Sequence, residues 1–191
     1  MFTSDSAGMT ISEELSGLPL DRESIGSGDA TTINTVKIMI KTIKDNGSDY
    51  YVRRWAEKLI TNCTGDTEKL RGLFYGLSNK ITYVKDPLGV EMLQTPKMVL
   101  QRMDTGEIPS LDCDCMTALV LSLARSIGFP TAIRVISTRP DGVFGHVYGM
   151  VSARLGANRV PYWMPVDLVR YDKGFGWEYP AATRVLTKIV K

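Results

Sequence analysis

The hydrophobic period of this chain changes once, at Gly128-Phe129-Pro130, and no other feature constrains its fold as strongly. Before that point apolar residues recur at helical spacing; after it the sequence turns β-rich, with alternating strands bounded by turn residues. A run of helices followed by a run of strands does not build the strand–helix repeats of a parallel sheet. It predicts the α+β class: N-terminal helices, then a helix packed on an antiparallel sheet.

Three helices are expected first. Ile33, Val36, Met39, Ile40 and Ile43 mark one, closed by Asn46-Gly47. A second opens at Ser48-Asp49 with Val52, Trp55, Ala56, Leu59, Ile60 and Cys63 on one face. The third runs from about Asp66 through Leu70, Leu73, Phe74 and Leu77. "ITYVKDPLG" reads as a short extended piece breaking at Asp86-Pro87, and "TPKMVLQRM" as a short helix capped by Thr95 with Pro96 in its first position. The next helix starts near Cys113, buries Met116, Val120, Leu123 and Ile127, and ends at Gly128, where a left-handed residue is wanted. "TAIRVIST", "GHVYGMVSA" and "VPYWMPVDL" are strands separated by Pro-Asp-Gly and Gly-Ala-Asn turns; "AATRVLTKIVK" is a strand or a short helix. Residues 1–30, rich in Ser, Gly, Asp and Thr, read as a flexible arm. Residues 31–191 then form one domain, with a helical part (31–104) and a core (105–191).

Bulk properties remove some functions. Net charge is +2 with signs interspersed, which points to neither nucleic acid nor an anionic membrane surface. No apolar run approaches the roughly 18 residues of a spanning helix. The first 30 residues lack the basic start and apolar core of a secretory signal, and three cysteines argue for reduced thiols rather than a disulfide scaffold.

Chemistry concentrates in "LDCDCMTALVLSLARSIGFP", where two of the three cysteines stand two apart at the head of a helix. They hold a metal, or one is a nucleophile, or both fill space. Residues two apart on a helix diverge by about 200°, so both cannot face the sheet. Cys113 is in phase with the buried stripe and Cys115 lies on a flank. A helix start offers free N–H groups and a positive dipole end, which favour a thiolate at Cys113 and supply donors for an oxyanion. The base for such a thiol is the chain's single histidine, His146, early in a strand. Asp167, ending the next strand, reaches the far nitrogen of that ring if the two strands form a hairpin. Alone, His146 reads as structural or exposed and Asp167 as a solvated strand end. Cys63, Cys113, Cys115 and His146 also add up to a zinc ligand set, but the Cys-x-Cys spacing is tighter than zinc sites use. Tyr162, Trp163, Trp177 and Tyr179 either line a groove beside the site or pack the sheet.

"DCDCMTALVLSLARSIGFPTAIRV" resembles the core of the transglutaminase-like superfamily of papain-type folds. Counting from Cys113, Arg125, Gly128 and Pro130 fall at that family's offsets, so the resemblance puts Cys113, not Cys115, in the nucleophile's place. His146 in "GHVYGMV" is similar to the family's histidine strand and Asp167 in "PVDLV" to its strand-end aspartate. "ITYVKDPLGVEMLQTPKMVL" resembles the lead-in of phage and prophage members; the likeness spans about residues 30 to 170. It departs from the family at Leu111 (usually Gly), Cys115 (often Asp), Tyr148 (Trp) and Met150 (Glu).

The resemblance implies a thiol enzyme with the catalytic set Cys113, His146 and Asp167, forming an acyl-enzyme at Cys113 and hydrolysing peptide or isopeptide bonds as a cysteine peptidase. The backbone N–H of Cys113 is the expected oxyanion donor, with Gln94 a weaker candidate. Neither metal nor other cofactor is expected, and no calcium loop is present. Expected partners are a protein or peptide substrate and, through the arm, other phage structural proteins; no nucleic acid and no membrane. The expected location is the host cytoplasm or the virion. The alternative is a phage virion or tail-assembly protein that keeps the fold with little activity.

Overall fold

The computed structural model describes residues 29–85, 93–155 and 160–191. The expected arm (but for its last two residues), the Asp86-Pro87 break and the Gly-Ala-Asn turn lie outside them. In order, the elements are α1 (Ala30–Gly47), α2 (Tyr50–Leu59), α3 (Asp66–Ser78), β1 (Thr82–Tyr83), α4 (Pro96–Asp104), β2 (Ser110–Leu111), α5 (Cys113–Ser126), β3 (Thr131–Ser137), β4 (His146–Leu155), β5 (Val160–Val166) and β6 (Arg184–Val190). The protein is α+β, helices first and an antiparallel sheet after. Among the described residues no helix is long and apolar enough to cross a membrane.

Local signals fix the helix ends. Asp49 caps α2, its side chain accepting from the Tyr51 and Val52 N–H groups; Thr95 caps α4, with Pro96 in the first position. Gly128 follows α5 at φ 92°, a conformation that costs glycine nothing and other residues much. The undecided C-terminal stretch is strand β6. Cys63 departs from expectation: α2 ends at Leu59, so Cys63 sits half-buried in the following turn instead of on the helix's apolar stripe.

The sheet has strand order β5-β4-β3-β6, every pair antiparallel. α5 crosses one face and touches α1, α2, α3 and α4 on its other sides. The expected single buried stripe is therefore wrong: every residue from Cys115 to Ala124 is buried, because α5 has neighbours all round, while Ile127 at its end is half-buried. Alternation in the strands splits the apolar residues into two cores. Ile133, Val135, Val147 and Val151 join the helix-side core; Ala132, Ile136, Tyr148, Met150 and Trp163 form a second cluster on the outer face. Residues 171–175 pack against α3, with Phe175 beside Phe74, and the segment from Glu178 to Ala182 then crosses the outer face as a strap.

Two contacts set α5 against β4. The Thr117 hydroxyl donates to the Val147 carbonyl at 3.2 Å. Gly149 lies directly under Leu121, where a Cβ would come within 2.7 Å of a side-chain carbon and 3.3 Å of the Val166 carbonyl oxygen. The missing side chain lets helix and strand approach closely. A short parallel pair, β1 with β2, leads the chain into α5, pairing Tyr83 with Leu111.

Candidate active site

Asp112 ends the short strand and caps α5; its carboxylate accepts the Cys115 N–H at 2.9 Å and its carbonyl accepts the Met116 N–H at 3.0 Å. Cys113 is thus the first helical residue. A cavity of about 230 Å³ opens there, lined by Cys113, Asp112 and Asp114 from the helix start, Tyr83 and Lys85 from β1 and beyond, and Gly145 and His146 from the mouth of β4. α1 closes another side with Thr32, Thr35 and Val36.

The register explains how His146 meets Asp167. Gly149 pairs with Val166, so extending the ladder by one sets Tyr148 opposite Asp167 and leaves His146 diagonal to it on the same, outer face. Diagonal neighbours are spaced so that long side chains meet. The His146 Nε2 and an Asp167 carboxylate oxygen lie 2.7 Å apart, with the side chains only 16% and 4% exposed. The other Asp167 oxygen accepts the Val169 N–H at 3.0 Å. Nε2 is the ring nitrogen that this contact engages, and Nδ1 is the other.

Cys113 and His146 line one cavity, which Val147, the next residue after His146, lines as well. The thiol donates to an Asp114 carboxylate oxygen at 3.3 Å. Its charge state corrects the expectation of a lowered pKa. Burial pushes the Cys113 thiol well up, the nearby charges of Asp114 and Asp112 and the hydrogen bond to Asp114 push it further, and only the Val147 backbone pulls it down. A helix N-terminus carries about half a unit charge, which does not outweigh burial plus two carboxylates. Burial and the carboxylates all favour the neutral thiol.

Cys115 points away, as helical divergence required, but it is buried to 1% exposure rather than on a flank. Its sulfur accepts the Gln94 N–H at 3.1 Å, and burial raises its pKa too. It plugs the junction between α5 and the segment before α4. Gln94 spends its side-chain amide on the Ser110 carbonyl at 3.1 Å and its oxygen on Arg102 at 2.5 Å, outside the cavity. The zinc set does not assemble: among the described residues the one cluster of three such donors is Asp112, Cys113 and Asp114, without Cys63, Cys115 or His146.

Tyr83 escaped the sequence reading, and Tyr179, expected to line a groove or pack the sheet, has a different contact. Tyr83 enters the cavity because β1 pairs with the strand preceding Cys113; burial and then the Cys113, Asp112 and Asp114 charges raise its pKa. Only a two-residue strand carries it, too short for an alternation signal. Tyr179 donates its hydroxyl to the same Asp167 oxygen that faces His146, at 3.0 Å. Of the four aromatic residues offered as groove liners or packing, Trp163 is buried in the outer cluster and Tyr162 is exposed; none of the four lines the cavity.

No family model matches the chain, and no curated protein matches it either. Two solved structures are similar to it in fold. One is a candidate cysteine protease from Cytophaga hutchinsonii, 13% identical at a TM-score of 0.45, the match covering 72% of this chain and 45% of that one. The other is a candidate protease from Parabacteroides distasonis, 11% identical at a TM-score of 0.46, covering 66% of this chain and 26% of that one. The chain thus spans less than half of either neighbour's length.

Proposed function

We propose that this chain is a transglutaminase-like thiol enzyme that forms an acyl-enzyme at Cys113 and hydrolyses peptide or isopeptide bonds as a cysteine peptidase, with His146 as base and Asp167 as its orienting partner. One observation carries the reading: Asp167 grips the chain's sole imidazole at 2.7 Å while that imidazole lines the same cavity as the Cys113 sulfur. The triad logic needs a nucleophile, a base and a third group holding the base.

Because burial and the carboxylates favour the neutral thiol, general-base catalysis fits better than a standing thiolate. Nδ1 of His146 takes the thiol proton as sulfur adds to the substrate carbonyl, and Asp167 steadies the imidazolium through Nε2. The oxyanion takes a hydrogen bond from the Cys113 N–H at the head of α5. Collapse breaks the C–N bond, and the amine leaves with the proton from His146. Water then adds to the thioester, His146 accepting its proton and returning it to sulfur, which releases a carboxylic acid and the free thiol. An amine in place of water would give transamidation by the same first half.

The test is acylation by p-nitrophenyl acetate together with alkylation by iodoacetamide. A burst of nitrophenol that vanishes in Cys113→Ala, and alkylation of Cys113 that slows in His146→Ala, support the reading. A second reading draws on the upward-held thiol: a phage virion or tail-assembly protein that keeps the fold with little activity. It gains if Cys113 reacts no faster than an ordinary thiol and His146→Ala changes nothing.

A further inference from the structure

Asp167 is almost fully enclosed, and its carboxylate has three donors: the Val169 N–H on one oxygen, and His146 and the Tyr179 hydroxyl together on the other. Tyr179 does not belong to the strands that carry His146 and Asp167. It arrives on the strap, and the strap is pinned beside it: Arg134, 4% exposed in the outer face of β3, donates to Glu178 at 2.6 Å, and Tyr148 donates its hydroxyl to the other Glu178 oxygen. The Tyr179 ring sits 5.3 Å from the imidazole and 4.5 Å from Trp177, centroid to centroid. The Tyr179 ring also packs on the outer apolar cluster, a role its hydroxyl does not serve. A phenol whose hydroxyl is aimed at a buried carboxylate oxygen already committed to a histidine has a more specific consequence.

We propose that Tyr179 is a positioning residue for the site: its hydroxyl shares the Asp167 oxygen with His146, so that it sets both the orientation of the carboxylate and how much of its charge falls on the imidazole. Its catalytic meaning rests on His146 being the base, but its physical effect on the ring does not. Each donor to a carboxylate disperses some of its charge. Removing the phenol donor concentrates that charge on the Nε2 proton, strengthens the His146–Asp167 hydrogen bond and makes the imidazole hold its proton more firmly.

Other groups face the ring and stay in place in the variant. On the sheet side these are Asp167, Tyr148 and Tyr179 itself, whose neighbour Arg170 also lies within its field. Across the cavity they are Cys113, Asp112, Asp114, Tyr83 and Lys85. None but Tyr179 and Val169 competes for the Asp167 oxygens among the contacts described above.

The experiment compares full-length wild type with Tyr179→Phe and, as control, Tyr148→Phe. Tyr148 stacks on the imidazole at 5.9 Å and its hydroxyl bonds Glu178 rather than Asp167, so it tests packing without the proposed contact. Because the chain has one histidine, its ring N–H signal in proton NMR is assigned without ambiguity. The expected result is a downfield move of the Nε2–H resonance in Tyr179→Phe and little change in Tyr148→Phe. The pH profile of Cys113 alkylation should move to higher pH in Tyr179→Phe by up to about one unit. An unmoved or upfield resonance in Tyr179→Phe, or an equal move in Tyr148→Phe, overturns the proposal. If wild-type alkylation proves independent of His146, the thiol-enzyme reading falls, while the ring resonance still decides the role of Tyr179.

Discussion

On its helix side the sheet offers α5 Ile133, Val135, Val147 and Val151 with a bare Gly149 between them; on its outer side it carries Arg134, Tyr148 and, at the strand ends, His146 and Asp167. The inner face is largely apolar, and shape places α5 against it, hence the sulfur at the helix's first residue. The outer face is a hydrogen-bonded relay in which Arg134 holds Glu178, the strap brings Tyr179 to Asp167, and Asp167 holds His146. Packing positions the thiol and hydrogen bonding positions the imidazole. The candidate site forms where the two systems meet, at the entry of β4.

This contrast is open to being broken. The largest effect should come from the meeting point: His146→Ala is expected to slow Cys113 acylation by about 10²–10⁴-fold, read as the pre-steady-state burst rate, with little change in fold. Within α5 itself, Leu119→Ala should cost about 2–5 kcal/mol in urea denaturation, since the residue is fully enclosed and a cavity would remain. Gly149→Ala should cost about 1–3 kcal/mol in the same assay, because Leu121 is itself buried and has little room to yield. On the outer face Glu178→Gln should cost only about 1 kcal/mol, since that carboxylate is 44% exposed although Arg134 is not. Its effect on acylation should exceed its effect on stability; the reverse order would erase the contrast between the faces.

The smallest effect is a pH dependence. Burial and the flanking carboxylates raise the Cys113 thiol, so the fold favours its neutral form. That stabilisation is complete below the ordinary thiol pKa of about 8.5 and is lost as pH rises above it. Tyr148 and Tyr179, raised by burial first and by Glu178 and Asp167 next, add the same sign of effect only above about pH 10. Melting temperature should therefore hold steady to about pH 8.5 and fall beyond it, and Cys113→Ser should make that fall shallower, the Cys115 thiol, which burial also raises, supplying the remainder.

Much of this was legible in the sequence because the signals were local. The caps Asp49 and Thr95, the left-handed Gly128, and the change of period at residue 128 each act within a few positions of the backbone. The divergence of Cys113 and Cys115 followed from helix geometry alone. The thiol's protonation was misread because the sequence shows the helix start and the two flanking carboxylates but not the burial that contributes most. α5 was misread as amphipathic because periodicity reports one partner, and this helix has neighbours on every side.

By itself the sequence determined the order and kind of the elements, and which sulfur begins the central helix, since hydrogen bonds and steric limits within a few residues decide those. The tertiary structure decided what the site is made of. The β4–β5 register set His146 diagonal to Asp167, and β1–β2 pairing carried Tyr83 into the cavity. The strap closed over the outer face and placed the Tyr179 hydroxyl on a carboxylate twelve residues earlier in the chain. Such contacts join segments whose separation along the chain says nothing of their separation in space, and they exist only once both sheet faces have been covered.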